Sequence, residues 1–215
     1  MVSPLDIRLQ DGPLPFLLGS AAVAGDKDRP LLVFLHGYDE GPPTDILPAS
    51  TRHGPLRSGY ETSLFGDMLI VAPQMPARGD IWIDYGKELA DLVRQLQRHA
   101  DADRRRTYLT GFSFGGNGVF DIALHKPELW AALWAVDPTR VPPRRPAQPV
   151  WLSFGEIARR YKDELINALS LQPAASANTG DYLFEDTGLD HVGSARLAYG
   201  DPRPYAWLRS KCRSD

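Results

Sequence analysis

Continuous apolar runs alternate along the chain with segments of helical periodicity. Leu31-Leu32-Val33-Phe34-Leu35 and Met68-Leu69-Ile70-Val71 contain no polar residue. Such runs are expected of strands covered on both faces of a mostly parallel sheet. From Asp84 to Ala100 the pattern changes: Leu89, Leu92, Val93 and Leu96 recur at helical spacing and predict a helix. A short strand, Thr107 to Thr110, follows it, and Asn117 to His125 reads as the next helix. The rhythm continues with strands at Trp130 to Val136 and Val150 to Phe154, a helix at Tyr161 to Leu169, a last strand at Tyr182 to Glu185 and a closing helix at Tyr205 to Lys211. This alternation predicts an α/β architecture.

Two stretches break the rhythm. Between Asp137 and Val150 the prolines Pro138, Pro142, Pro143 and Pro146 cannot support a regular helix, so the strands on either side are joined by a bare loop. Gly37 to Tyr60 is rich in Gly, Pro, Ser and Thr, and long loops of this kind in α/β domains often wall a site. No internal repeat or low-complexity segment is present.

With 215 residues, 43% of them hydrophobic, the chain can bury one substantial core and is short for two, so a single domain spanning 1–215 is expected. The net charge of −3 arises from interspersed acids and bases. No polybasic tract is available to neutralise a nucleic-acid backbone or an anionic membrane, and neither partner is expected. Arg104, Arg105 and Arg106, with Arg144 and Arg145, read as solvated loop charges. The single cysteine, Cys212, excludes an internal disulfide and argues against a cysteine-built metal site. The start Met1-Val2-Ser3-Pro4-Leu5-Asp6 lacks the basic and apolar segments of a secretory signal, and no run approaches membrane-spanning length, so a soluble cytoplasmic protein is expected.

Gly111-Phe112-Ser113-Phe114-Gly115 lies between an apolar strand and a helix, the setting of a nucleophile elbow. Glycines on both sides let the chain turn sharply and lift the Ser113 hydroxyl to the apex. A serine nucleophile needs a base, an acid to orient the base, and donors for the oxyanion that forms in acyl transfer. Among five histidines, His99 and His125 fall near helix ends, and His53 in a polar loop where exposure is expected. His36 directly follows a buried strand and is expected to brace its loop. His191 follows the last strand, in the order serine, acid, histidine that the elbow geometry requires, and is the expected base. His36-Gly37-Tyr38 stands where one oxyanion donor is expected, which assigns the backbone N–H groups of Tyr38 and Phe114 as the pair.

Together these blocks resemble the α/β-hydrolase family, and more narrowly its small polyhydroxybutyrate-depolymerase-like and dienelactone-hydrolase-like serine esterases. The resemblance rests on Leu31 through Gly37, Val71-Ala72-Pro73-Gln74, Arg106 through Gly116 and on to Pro127-Glu128-Leu129-Trp130-Ala131-Ala132, and Asp190-His191 through Asp201-Pro202 and Trp207-Leu208. It implies an α/β-hydrolase fold, a mostly parallel central sheet with helices on both faces and no lid domain. It also implies ester hydrolysis through an acyl-enzyme on Ser113, with His191 as base and with no cofactor or metal. Relatives usually carry the acid just after the penultimate strand, but here Ser153-Phe154-Gly155-Glu156-Ile157-Ala158 holds no Asp. Asp137, which ends the preceding strand before Pro138, resembles the acid placement of pancreatic-type lipases, and Glu156 is the alternative. Asp190 ranks third, since neighbours in sequence rarely meet in hydrogen-bond geometry.

The missing lid implies an open site for small or aromatic carboxylic esters. Tyr38, Phe114, Trp82 and Tyr85 are candidates to line it, although large aromatics equally serve as core. Two other readings use the same features: a binding module that has lost catalysis, suggested by the missing acid, and a peptidase or acyltransferase using the same machinery.

Overall fold

The computed structural model describes residues 6–20, 28–79, 81–99, 102–174 and 180–214. In chain order the elements are β1 (Asp6–Gln10), β2 (Phe16–Ser20), β3 (Arg29–Leu35), α1 (Ile46–Thr51), β4 (Leu69–Pro73), α2 (Gly86–His99), β5 (Ala102–Phe112) and α3 (Phe114–His125). They continue with β6 (Ala132–Val136), β7 (Val150–Phe154), α4 (Lys162–Leu169), β8 (Gln172–Pro173), β9 (Tyr182–Asp186), α5 (His191–Gly200) and α6 (Pro202–Arg209). All the strands belong to one sheet with the order β1-β2-β4-β3-β5-β6-β7-β9-β8. Among the described residues, only the pairings of β1 with β2 and of β2 with β4 are antiparallel.

The continuous apolar runs follow from cover on both faces. Alternate residues of a strand point to opposite sides, so Leu31, Val33 and Leu35 of β3 enter one core with Leu89, Leu92 and Val93 of α2, Phe120 of α3 and Leu165 of α4. Leu32 and Phe34 enter the other, with Ala198 and Tyr199 of α5 and Tyr205, Trp207 and Leu208 of α6. An aromatic stack closes that second layer: the Trp134 ring lies 4.8 Å from Tyr199 and 5.2 Å from Tyr205. A large side chain buried this completely contributes roughly 1.5–3 kcal/mol relative to leaving it in water.

Several boundaries differ from the periodicity reading. The strand expected at Thr107 to Thr110 runs from Ala102 to Phe112, because Ala102 pairs with Arg29 at the sheet's rim and the register shifts across the polar residues Asp103 to Arg106 before Thr107 pairs with Leu31. β1 and β2 form an antiparallel flank whose outer strand is largely exposed and so carries no apolar signature. α5 was not foreseen. Its stripe, Ala195, Ala198 and Tyr199, is thin, and Gly193 weakens its propensity, so tertiary packing and the Asp190 cap establish it. α6 begins three residues before the expected Tyr205, with Asp201 as N-cap and Pro202 in the first turn. Ala100, the expected end of α2, lies outside the described residues. No helix among the described residues is long and apolar enough to cross a membrane.

Because β3, β5, β6, β7 and β9 run parallel, the segments that follow them emerge along one edge of the sheet. These segments begin at His36, Ser113, Asp137, Gly155 and Thr187. Every residue of the candidate chemistry lies at or just beyond that edge, the crevice that open α/β sheets offer to ligands.

Candidate active site

Ser113 joins β5 to α3 with φ 58° and ψ −118°, a conformation that side chains rarely adopt and that costs about 1–3 kcal/mol. Two backbone bonds hold it: its N–H donates to Val136 O at 3.0 Å, and its carbonyl accepts the Asn117 N–H at 3.1 Å. The flanking glycines are sterically required. A Cβ at Gly115 would lie 1.9 Å from Leu35 O, and one at Gly111 would lie 2.3 Å from Gly115 O. The elbow therefore packs backbone against backbone, and the chain turns where only hydrogen fits.

His191 is the first residue of α5. Asp190 caps that helix by accepting the Gly193 N–H at 2.6 Å, so the third-ranked acid has a local structural role. The His191 ring packs on Phe112 with centroids 4.5 Å apart. Its Nε2 lies 2.9 Å from Ser113 Oγ and its Nδ1 lies 2.5 Å from Asp137 Oδ2. Asp137 is fully buried and adopts φ 43° at the end of β6. Three N–H groups converge on its carboxylate: Gly155 at 3.0 Å and Ala158 at 2.7 Å on Oδ1, and Ile157 at 3.3 Å on Oδ2.

The turn after β7 thus cradles an acid supplied by β6. Gly155 is needed there, since a Cβ would fall 2.4 Å from Asp137 Oδ2 and equally close to Ser194 Oγ. Glu156, the alternative acid, does not reach the imidazole. As the backbone on both sides of it turns inward to Asp137, its own side chain points outward, exposed, 3.6 Å from Arg160.

The loop after β3 is braced from several directions. Buried His36 places Nδ1 2.7 Å from Gly37 O, while its Nε2 accepts the Met75 N–H at 3.1 Å. Burial pushes its pKa down to about 4, so it serves as a neutral strut. Trp82 Nε1–H donates to His36 O at 3.0 Å. Glu40 Oε2 accepts the Gly37 N–H at 2.6 Å, and Gln74 Nε2 donates to the Glu40 and Thr44 carbonyls at 2.9 and 2.8 Å. These bonds fix the Gly37-Tyr38 peptide. The Phe114 N–H belongs to the first turn of α3, where backbone donors have no intrahelical partner and favour negative charge.

Of the four aromatics that were candidates either to line the site or to serve as core, two are core. Trp82 is enclosed between His36 and Gly118, where a Cβ would meet it at 2.8 Å, and Tyr85 packs on the core. Tyr38 and Phe114 pack edge to face, 5.0 Å between centroids, with Tyr38 46% exposed.

His53, expected in solvent, is largely covered and lies 5.3 Å from the Phe112 ring. Its Nε2 approaches Glu40 Oε1 to 3.8 Å. That spacing would suit an ion pair, but burial raises the Glu40 carboxyl to about 7 and lowers His53 to about 4, helped by neighbouring arginines. Desolvation outweighs their attraction, and between about pH 4 and pH 7 both are uncharged. Glu40 was not singled out in the sequence. Its signal was the Gly37-to-Glu40 spacing, which lets a carboxylate reach back to the first N–H of a turn as in a capping box. Among the described residues no three His, Cys, Asp or Glu side chains gather as a metal site.

No family model matches the sequence, and no curated protein matches it. Solved structures match in shape. A thermostable esterase superposes with a TM-score of 0.69 at 19% identity, over 99% of this chain and 64% of the esterase, so the chain spans less than two thirds of that relative. A Klebsiella pneumoniae protein provisionally assigned as a dienelactone hydrolase gives 0.67 at 17% identity, covering 96% of this chain and 99% of that one. The feruloyl esterase module from Clostridium thermocellum, complexed with sinapinate, gives 0.65 at 13% identity, over 94% and 87%. The sheet order, the strained serine between β5 and α3 and these superpositions agree: the chain has the α/β-hydrolase fold.

Proposed function

We propose that the protein is a serine hydrolase of carboxylic esters, acting as one domain through an acyl-enzyme on Ser113, with His191 as general base and Asp137 as the acid that orients it. The observation that carries this reading is the continuous hydrogen-bonded line from Ser113 Oγ through the His191 ring to the buried Asp137 carboxylate. With Asp137 accepting from Nδ1–H, Nε2 is left as the acceptor for the serine proton. Oγ attacks the ester carbonyl as its proton passes to Nε2, and the carbonyl oxygen becomes an anion held by the Tyr38 and Phe114 N–H groups. Collapse breaks the bond to the alcohol, whose oxygen takes the proton from His191. Water, deprotonated by His191, then attacks the acyl-enzyme and releases the acid and free Ser113.

Small or aromatic acyl groups suit the site. No helix interrupts 137–149 to form a cover, and the Tyr38–Phe114 pair offers an aromatic wall beside the nucleophile. The binding-module reading drew on a missing acid, and the position of Asp137, 2.5 Å from His191, supports the hydrolase reading over it. The one cysteine, Cys212, is free and exposed, in keeping with a reducing, cytoplasmic setting.

The test is release of p-nitrophenol from p-nitrophenyl acetate, followed by stopped flow for the wild type and Ser113→Ala. A burst or steady turnover abolished in Ser113→Ala is expected. Equal background release from both proteins would overturn the assignment.

A further inference from the structure

In the mechanism above, one oxyanion donor is the Tyr38 N–H, and the residue before it is a glycine, which has no side chain to restrict its own backbone. Two buried side chains supply the restriction. The peptide that carries the Tyr38 N–H has its oxygen, Gly37 O, held by the His36 ring at 2.7 Å. The preceding peptide has its hydrogen, the Gly37 N–H, held by Glu40 Oε2 at 2.6 Å. The two peptide planes meet at the Gly37 Cα, so these bonds together set both of its dihedrals, φ −81° and ψ −171°. Glu40 reaches back from the far end of the turn Tyr38–Glu40, so its bond also closes that turn around Tyr38. The Tyr38 N–H is the first donor of the turn, where no partner exists within it, and is left for the anion.

Glu40 is itself held from behind. It is buried, its carbonyl accepts from Gln74 Nε2 at 2.9 Å, and the next residue, Gly41, packs so closely that a Cβ would fall 2.8 Å from Ala77 O. Its second carboxyl oxygen faces His53 Nε2 at 3.8 Å, and the His53 ring packs on Phe112, which stacks on His191. A Cβ on Gly37 would lie 3.3 Å from Glu40 Oε2 and 3.6 Å from Ser113 Cβ, so the carboxyl and the nucleophile flank the same glycine. Burial raises the Glu40 carboxyl to about 7, and below that pH its oxygen accepts as part of an uncharged acid.

We propose that Glu40 is a positioning residue of the reaction: by accepting the Gly37 N–H it aims the Tyr38 N–H at the carbonyl oxygen of the ester, and it acts there as an acceptor rather than as a charge. The inference rests on the hydrolase reading above and assigns a group that preorganises its oxyanion site. Oxyanion donors work because they are aimed before the charge develops. Without the bond to Glu40, Gly37 is free to rotate and the Tyr38 N–H must be reoriented in every turnover. A misplacement of about 1 Å at such a site costs about 100-fold in rate. The donors bind the developing anion more strongly than the ground-state carbonyl, so the loss falls on kcat rather than on KM.

The test compares Glu40→Leu, Glu40→Gln and Glu40→Asp with the wild type in p-nitrophenyl acetate hydrolysis, with kcat expressed per active site counted by complete labelling of Ser113 with a fluorophosphonate. Binding of phenyl trifluoromethyl ketone is measured alongside. Ser113 Oγ adds to its carbonyl carbon, the hydroxyl proton passes to His191, and the former carbonyl oxygen remains as an anion facing the same two N–H groups. Glu40→Leu is expected to lower kcat and the affinity for the ketone together by about 100-fold, with KM within about threefold of wild type. Glu40→Gln returns an acceptor to the same place and is expected to recover both to within about fivefold. Glu40→Asp keeps the acid but shortens its reach by one methylene, and is expected to fall between them. A loss in Glu40→Leu confined to KM, to the number of active sites or to the urea midpoint would overturn the proposal and leave the hydrolase reading standing. Should Glu40→Leu fail to fold, the other two variants decide, and a Glu40→Asp enzyme as active per site as Glu40→Gln would overturn it. If Ser113→Ala matches the wild type in both assays, the hydrolase reading fails and the role of Glu40 falls with it.

Discussion

Replacing Asp137 by Asn separates the acid's electrostatic and structural roles. The two side chains have the same shape, so the left-handed backbone at φ 43° tolerates both. The amide has one acceptor oxygen where the carboxylate has two. Its favoured placement puts oxygen at the Oδ1 position, preserving the bonds from Gly155 and Ala158 at 3.0 and 2.7 Å. The NH2 then occupies the Oδ2 position, facing the Ile157 N–H at 3.3 Å and His191 Nδ1 at 2.5 Å. His191 can accept from that NH2 only as the Nε2–H tautomer, which presents a hydrogen to Ser113 instead of a lone pair.

The expected loss in kcat is about 10⁴-fold, equivalent to about 5.5 kcal/mol of barrier. The stability cost is smaller, about 1–3 kcal/mol for one buried N–H facing a donor and the lost charge-assisted bonds. Steady-state p-nitrophenyl acetate hydrolysis and urea unfolding measure the two, and ¹⁵N NMR of the His191 ring reads the tautomer directly. Glu156→Gln is the control, expected to stay within about twofold of wild type because the side chain pairs only at the surface. An Asp137→Asn enzyme within about tenfold of wild-type kcat, or one whose imidazole still carries its proton on Nδ1, would refute the reasoning.

Two further outcomes are expected. Gly115→Ala, whose Cβ would meet Leu35 O at 1.9 Å, should lose about 3 kcal/mol or more, whereas Gly116→Ala, with its closest atom at 3.1 Å, should change stability by no more than about 1 kcal/mol; equal urea midpoints would contradict the elbow packing. Glu40 binds its proton more tightly folded than unfolded, so its contribution is fully present below about pH 4.5 and is lost as pH rises to about 7. Glu40→Gln removes this dependence, and its stability relative to wild type should rise by roughly 3 kcal/mol between pH 4.5 and pH 8, a difference absent if the carboxyl titrates normally.

The amino-acid sequence by itself determined the features whose cause is local. An apolar run such as Leu31 to Leu35 has one stable outcome, a strand covered on both faces, and it appears as most of β3. The spacing Gly111-x-Ser113-x-Gly115 specifies a turn where side chains cannot fit, and the turn is there. His191 could be chosen among the histidines because chain order after the last strand is itself a local property.

What tertiary structure alone decided is which distant groups meet. Asp137 and His191 are 54 residues apart, and no periodicity tells a carboxylate at the end of β6 from one two residues past β7. The choice is made by the turn through Gly155, Ile157 and Ala158, which aims three N–H groups at Asp137 and faces Glu156 outward. The Glu40–His53 contact and the thinly amphipathic α5 were hidden for the same reason. Local propensity reads neighbours within a turn or two, whereas burial, charge compensation and hydrogen-bond satisfaction depend on groups that the parallel sheet brings to a common edge.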